Sequence, residues 1–322
     1  MVQAVILFLI GFLLLIKGGD WFVDGATGIA HRFHLPEVLI GATVVSIGTT
    51  LPEVMVSAQA ALQHNSGISY GNAIGSIICN TSLIAAITIA AKPGPVNKKS
   101  LVLPAGAFFL AAIIYSFIAY TQGQFTRLHG IMFLTMFVIY MVLSVKQMTG
   151  GNGDEGQEEE EETKEMTLVQ ELAFLVIGAA AIAVGANLLV NNGTIIAAAL
   201  GVPDSVIGLT MVALGTSLPE LVTAITSLMK GHGALSLGNV IGANLFNIVL
   251  VSGAAITISP FAVPAEKMIM GMNSSLLIDV PLMIGVMAIM CVPALTKGKL
   301  YRWQGILLLC IYAAFTVYQF IS

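Results

Sequence analysis

The stretch Gly48-Thr49-Thr50-Leu51-Pro52-Glu53 returns almost unchanged as Gly215-Thr216-Ser217-Leu218-Pro219-Glu220. Each copy lies inside a long apolar run, so each puts one carboxylate, flanked by hydroxyls and a proline, at membrane depth. A charge there is expensive and marks a functional site. Its recurrence at an offset of 167 residues points to an internal duplication whose halves build one shared site.

Working outward, the whole chain fits a membrane. Of its 322 residues 57% are hydrophobic and only 9% charged, against roughly 25% charged in soluble domains. The net charge of -4 comes from residues 149–166, which hold eight acids and one base. Without them nine acids face twelve bases, a mildly basic membrane body. That acidic, apolar-poor stretch reads as a solvated linker. Cys79, Cys291 and Cys310 all lie in apolar runs without metal-ligand spacing.

Because about 20 apolar residues span a bilayer as a helix, ten spans are expected, near 2–30, 36–63, 69–90, 100–120, 125–147, 167–193, 203–229, 235–257, 269–292 and 302–321. The first lacks a cleavage pattern and reads as a true helix, not a signal peptide. Alternating the connections puts Arg32, Lys92, Lys98, Lys99, Lys146, Lys164, Lys230, Lys297, Lys299 and Arg302 on one side, and only Arg127 and Lys267 on the other. The basic side is expected to be cytoplasmic, with both termini outside and the linker inside. The expectation is a multi-pass protein of the cell (plasma or inner) membrane.

The repeat fixes the architecture. Residues 41–57 pair with 208–224, and 71–80 with 238–247. The expected organisation is a first five-span repeat over 1–148, a linker over 149–166 and a second repeat over 167–322. An odd number of spans per repeat inverts the second relative to the first. The fold class is therefore an all-α polytopic membrane protein of ten helices in two inverted five-helix repeats, with helices broken at the midplane.

The repeated blocks carry only oxygen chemistry. Pro52 and Pro219 remove the donors for the carbonyls of Gly48 and Gly215, and freed carbonyls in hydrocarbon need a cation, water or a hydroxyl. Thr49, Thr50, Thr216 and Ser217 add hydroxyls, Asn72, Asn80, Asn239 and Asn247 add amides, and Glu53 and Glu220 add charge. Hard cations such as Ca²⁺ and Na⁺ suit this set. The blocks contain no His, and Cys79 is their lone Cys, which argues against Zn²⁺ or Cu⁺. Two carboxylates balance one divalent or two monovalent ions, which gives a basis for exchange. The glycines of the second blocks, at four-residue spacing, also suit plain helix packing. Pro36 and Glu37, like Pro203 and Asp204, fit helix starts. Lys17, Asp20 and Asp24 are spaced to pair on one helix face.

These motifs resemble the alpha-1 and alpha-2 repeats of the sodium/calcium exchanger family, of prokaryotic type, within the cation/calcium antiporter superfamily. The resemblance implies Na⁺/Ca²⁺ antiport by alternating access at a central site. By position it implies Glu53 and Glu220 as shared ligands, the carbonyls of Thr49 and Thr216 completing a Ca²⁺ site, and Thr50, Ser217 and Ser76 with the carbonyls of Ser46 and Ala213 at Na⁺ sites. Asn80 and Asn247 would line the middle. Many family members carry an acid where this chain has Asn247 and Ser where it has Ala243, which bears on stoichiometry and selectivity. The substrates expected are Ca²⁺ and Na⁺, with the lipid bilayer as medium; no cofactor, nucleic acid or obligatory protein partner is indicated, and no enzyme chemistry. The alternatives are a Ca²⁺/H⁺ or other monovalent/divalent cation antiporter and, in a different class, a cation channel.

Overall fold

A computed structural model describes residues 2–150, 166–200, 215–265, 268–269 and 271–321 of the chain. Most of the expected linker, the start of the seventh span with Pro203, Asp204 and Ala213, and Lys267 lie outside the described residues. The described residues form α1 (Val2–Arg32), α2 (Glu37–Leu62), α3 (Ser66–Ala91), α4 (Lys98–Gln122), α5 (Arg127–Gly150), α6 (Leu168–Ala199), α7 (Leu218–Met229), α8 (Gly233–Ile258), α9 (Ser275–Lys297) and α10 (Arg302–Ile321). Eight of them, α1 to α6, α8 and α9, are long and apolar enough to cross a membrane. The twelve residues of α7 are apolar but shorter, and α10 stands at the place of the tenth expected span.

Local chemistry sets the ends. Asn65 accepts from Ile68 N at 3.1 Å to start α3, and Asn97 accepts from Lys99 N at 2.9 Å to start α4, satisfying amides that have no helical acceptor. Gly123 and Gly298 close α4 and α9 in the left-handed conformation. Two short ties join the loops. At one end, β1 (Gln124–Phe125) pairs antiparallel with β2 (Phe261–Ala262). At the opposite, basic end Pro95 bridges Lys299.

The inverted repeat is visible in the irregularities. Residues Asn80–Ala85 of α3 and Asn247–Ser252 of α8 are both π-helical, at positions that correspond across the two halves. In α2 a third π-helical segment, Gly41–Val45, precedes the motif. The two prolines, both expected to break a helix, sit differently, and the break appears only at the second. The helix runs on through Pro52, from Ser46 to Leu62. In the second copy the chain turns at Thr216 and Ser217, and Pro219 falls in the first turn of α7. There the missing amide would have no helical acceptor in any case.

The helices α3 and α8 are the most enclosed, with 78% of each apolar window buried. Tyr115, Phe125, Phe133 and Phe246 fill the core beside them. On the outside the more exposed α1 and α6 pack along one another. Glycines make this possible: Gly11 backs onto the Gly185 carbonyl, and Gly18 onto that of Gly178. These two contacts are one contact repeated, because 11 corresponds to 178 and 18 to 185.

Candidate ion-binding site

The repeated motifs meet in the protein's interior. Glu53 and Glu220 are both fully buried. Thr49, Thr50, Ser217, Ser46, Ser76, Asn80 and Asn247 are buried as well, and Thr216 is half-buried. Ala213 lies outside the described residues.

Hydrogen bonding singles out part of this group. Among the described residues, neither oxygen of Glu53 or Glu220 has a hydrogen-bond partner within normal distance. The same holds for the hydroxyls of Thr50 and Ser217 and for Oδ1 of Asn80 and Asn247. These unsatisfied atoms fall in repeat-related pairs: 50 with 217, 53 with 220, 80 with 247. The other buried polar atoms without partners, such as the Tyr115 and Ser144 hydroxyls, have no such counterpart. An unpaired buried carboxylate is severely penalised. A duplicated set of oxygens with no partner is what a cation site needs, since the ion supplies the missing interaction. Ca²⁺ takes about six to eight oxygens, and this set holds enough of them.

The π-helical segments explain how the asparagines contribute. Each begins at the asparagine itself, where the wider turn leaves backbone groups off the regular ladder. Ser252 Oγ donates to the Asn247 carbonyl at 2.9 Å, anchoring that segment. Asn247 Nδ2 donates to the Ala243 carbonyl at 3.1 Å, which leaves its Oδ1 as the free end.

Two residues named only as generic amide donors in the sequence have defined places. Thr49 Oγ1 donates to Asn239 Oδ1 at 3.2 Å, and Thr216 Oγ1 donates to Asn72 Oδ1 at 3.4 Å. Each bond crosses from one repeat's motif to the other repeat's Gly-Asn block. Ser46 Oγ adds a donation to the Asn239 carbonyl at 3.0 Å. No sequence signal beyond the duplication itself identifies these pairs.

A small opening lies between the motif segments and the α1–α6 pair. Phe22, Ala179, Ile182 and Ala183 line one wall; Gly48, Thr49, Pro52 and Pro219 line the other. Gly48 sits under the Phe22 ring and Gly215 under Val190, so both motif glycines give room to the peripheral helix pair.

The remaining charges sit elsewhere. Lys17 lies 3.9 Å from Asp20, but the principal partner of this group is Lys230, 2.7 Å from Asp24 and 3.5 Å from Asp20. Glu37 begins α2 and faces His232 Nδ1 at 2.7 Å. Arg32 makes a two-pronged contact with the buried Glu171 carboxylate at 2.7 and 2.9 Å. Asp279 ends a π-helical turn at the start of α9 and is partly buried.

The chain matches the family model described as "Sodium/calcium exchanger protein" over residues 3–146 and 171–321. It is 33% identical to the sodium/calcium exchanger MaX1 of Methanosarcina acetivorans over 98% of both chains. It is 37% identical to an uncharacterized membrane protein of Methanocaldococcus jannaschii, over 95% of this chain and 94% of that one. Among solved structures it resembles the sodium-calcium exchanger NCX_Mj soaked with Na⁺ and Sr²⁺, with a TM-score of 0.81, 34% identity and 97% of each chain covered.

Proposed function

The chain belongs to the sodium/calcium exchanger family, and on that premise we propose that it is a secondary active antiporter trading Na⁺ for Ca²⁺ at a central site to which both repeats contribute. The observation that carries this reading is the set of repeat-related buried oxygens on Thr50, Glu53, Asn80, Ser217, Glu220 and Asn247 that find no partner among the described residues.

In this reading Glu53 and Glu220 hold either cargo. Thr49, Thr216, Thr50, Ser217, Ser76, Ser46 and Ala213 add hydroxyl or carbonyl oxygens, and Asn80 and Asn247 line the middle. Obligatory exchange follows from electrostatics. Two buried carboxylates without a cation are far costlier than the same pair neutralised, so the empty site crosses its occluded state poorly. A Ca²⁺ or a set of Na⁺ ions removes that cost, and each return needs the other ion. The gradient of one then drives the other.

Alternating access needs a part that moves. The α1–α6 pair fits, because it lies outside the enclosed helices and bounds the opening beside Thr49. The two repeats, residues 1–148 and 167–322, supply equivalent halves joined by the acidic linker. The basic loops are assigned to the cytoplasm of the plasma or inner membrane, and the chain moves ions without transforming them.

The test is ⁴⁵Ca²⁺ uptake into proteoliposomes loaded with Na⁺, K⁺, Li⁺ or choline, with and without a pH gradient. Uptake that requires internal Na⁺ and disregards the pH gradient is expected. Proton-driven uptake would make the chain a Ca²⁺/H⁺ antiporter, and uptake indifferent to the internal cation a channel. Glu53→Gln with Glu220→Gln is expected to abolish exchange; normal flux in that double variant would discard the site.

A further inference from the structure

The threonine of each ion motif is held by an asparagine of the opposite repeat. Thr49 donates to Asn239 and Thr216 to Asn72. Thr49 follows Gly48, whose carbonyl loses its helical donor to Pro52, and Thr216 follows Gly215 at the turn before α7, where no helical ladder takes up the backbone. The carbonyl of each glycine belongs to the same peptide plane as the threonine amide. A β-branched threonine is stiff at χ1, so fixing its hydroxyl fixes that plane and the direction of the released carbonyl.

We propose that Asn72 and Asn239 are paired positioning residues that hold the backbone at Thr216 and Thr49 in its aim at the ion, each across the repeat boundary. This rests on the antiporter reading of the site and adds to it two residues that act without touching the cargo.

The two clasps are unequal. Asn72 Nδ2 donates to the Glu53 carbonyl at 3.1 Å and to Ser57 Oγ at 2.8 Å. Asn72 therefore ties Thr216 of the second motif directly to the backbone of Glu53 in the first. Asn239 accepts from both Thr49 and Ser46, residues of α2 alone, and its Nδ2 has no partner among the described residues. Asn72 links the two ligand segments; Asn239 seats one of them on α8. Loss of Asn72 is accordingly the more damaging.

The full chain in proteoliposomes provides the test. Ca²⁺ half-saturation and maximal rate are measured for Asn72→Ala, Asn239→Ala, Thr49→Val and Thr216→Val, for the matched doubles Thr216→Val/Asn72→Ala and Thr49→Val/Asn239→Ala, and for the mismatched double Thr49→Val/Asn72→Ala. Half-saturation is expected to rise roughly tenfold in each single variant, the weight of one buried hydrogen bond, with the larger rise for Asn72→Ala, and the maximal rate is expected to be nearly kept in the two asparagine variants. Matched doubles are expected to be no worse than the worse single, while the mismatched effects multiply.

Multiplying effects in the matched doubles, or a lower maximal rate at unchanged half-saturation, would reduce both asparagines to packing and overturn the proposal. Where a variant loses flux, Ca²⁺-induced thermal stabilisation in detergent gives the same cycle from binding alone. The Glu53→Gln/Glu220→Gln control separates the two levels. Retained exchange there sinks the site itself, whereas lost exchange with uncoupled cycles sinks only the clasps.

Discussion

Ala224 stands where the first repeat has Ser57, and that one missing hydroxyl matches the unpartnered Nδ2 of Asn239. Ala224→Ser is expected to supply the acceptor and stabilise the protein by ~1 kcal/mol. A higher detergent melting temperature would bear this out, and a lower one would mean that the buried hydroxyl finds no partner. At this scale the carboxylates were legible from the chain alone, because Glu53 and Glu220 stand out against hydrocarbon and recur. The amides were not. Whether Asn72 binds an ion or holds a threonine depends on what the opposite repeat places 3.4 Å away, and no spacing encodes that. The partner of Asp24 was hidden for the same reason: its neighbours in sequence suggested Lys17, whereas the fold brings Lys230 from 206 residues away.

Among the elements, the helix pair α1–α6 has the most exacting contact. A side chain at Gly11 would meet the backbone of α6 at 2.8–2.9 Å. Gly11→Val is expected to push the pair apart at a cost of ~1–3 kcal/mol, measured as lost thermal stability, with Gly75→Ala as a reference, since a Cβ there meets nothing within 4 Å among the described residues. The pair is also tied at one end by Arg32 and the buried Glu171. Removing one partner of a well-buried ion pair costs ~3–5 kcal/mol. Arg32 is partly exposed, so Arg32→Ala is expected nearer ~2 kcal/mol after solvent screening, read from the same melting curves. The sequence disclosed where helices lie, since apolar length alone marks them. It did not disclose the π-helical turns at Asn80 and Asn247, because a widened turn is chosen by packing around it and has no composition of its own. Nor did it separate the two prolines. Both occur in the same motif, yet Pro52 sits within a continuing helix and Pro219 at a helix start.

For the whole molecule the ion group at Lys230 joins the peripheral pair to the rest, because Asp24 belongs to α1 and Lys230 follows α7. Its members are 27% and 41% exposed, so the bond is worth under ~1 kcal/mol. That strength suits a tie that the proposed movement of α1 and α6 would break in every cycle. Lys230→Ala is expected to raise turnover by no more than about fivefold, with the gain fading at high salt and reversed in the exchanged pair Asp24→Lys/Lys230→Asp. Unchanged turnover at low salt would show that the tie plays no part in the cycle. The inverted architecture was readable because each repeat has an odd number of spans, and counting needs no tertiary knowledge. The reciprocal bonds between Thr49 and Asn239 and between Thr216 and Asn72 carry that architecture into ancestry. A single half has a motif threonine and an asparagine, but each finds its mate only on an upside-down copy of itself. Before the two halves were fused into one gene, an ancestral half-length chain could have formed these bonds only by inserting in both orientations and pairing antiparallel about a two-fold axis. Fusion then freed the halves to differ, and Ser57 facing Ala224 is one mark of that freedom.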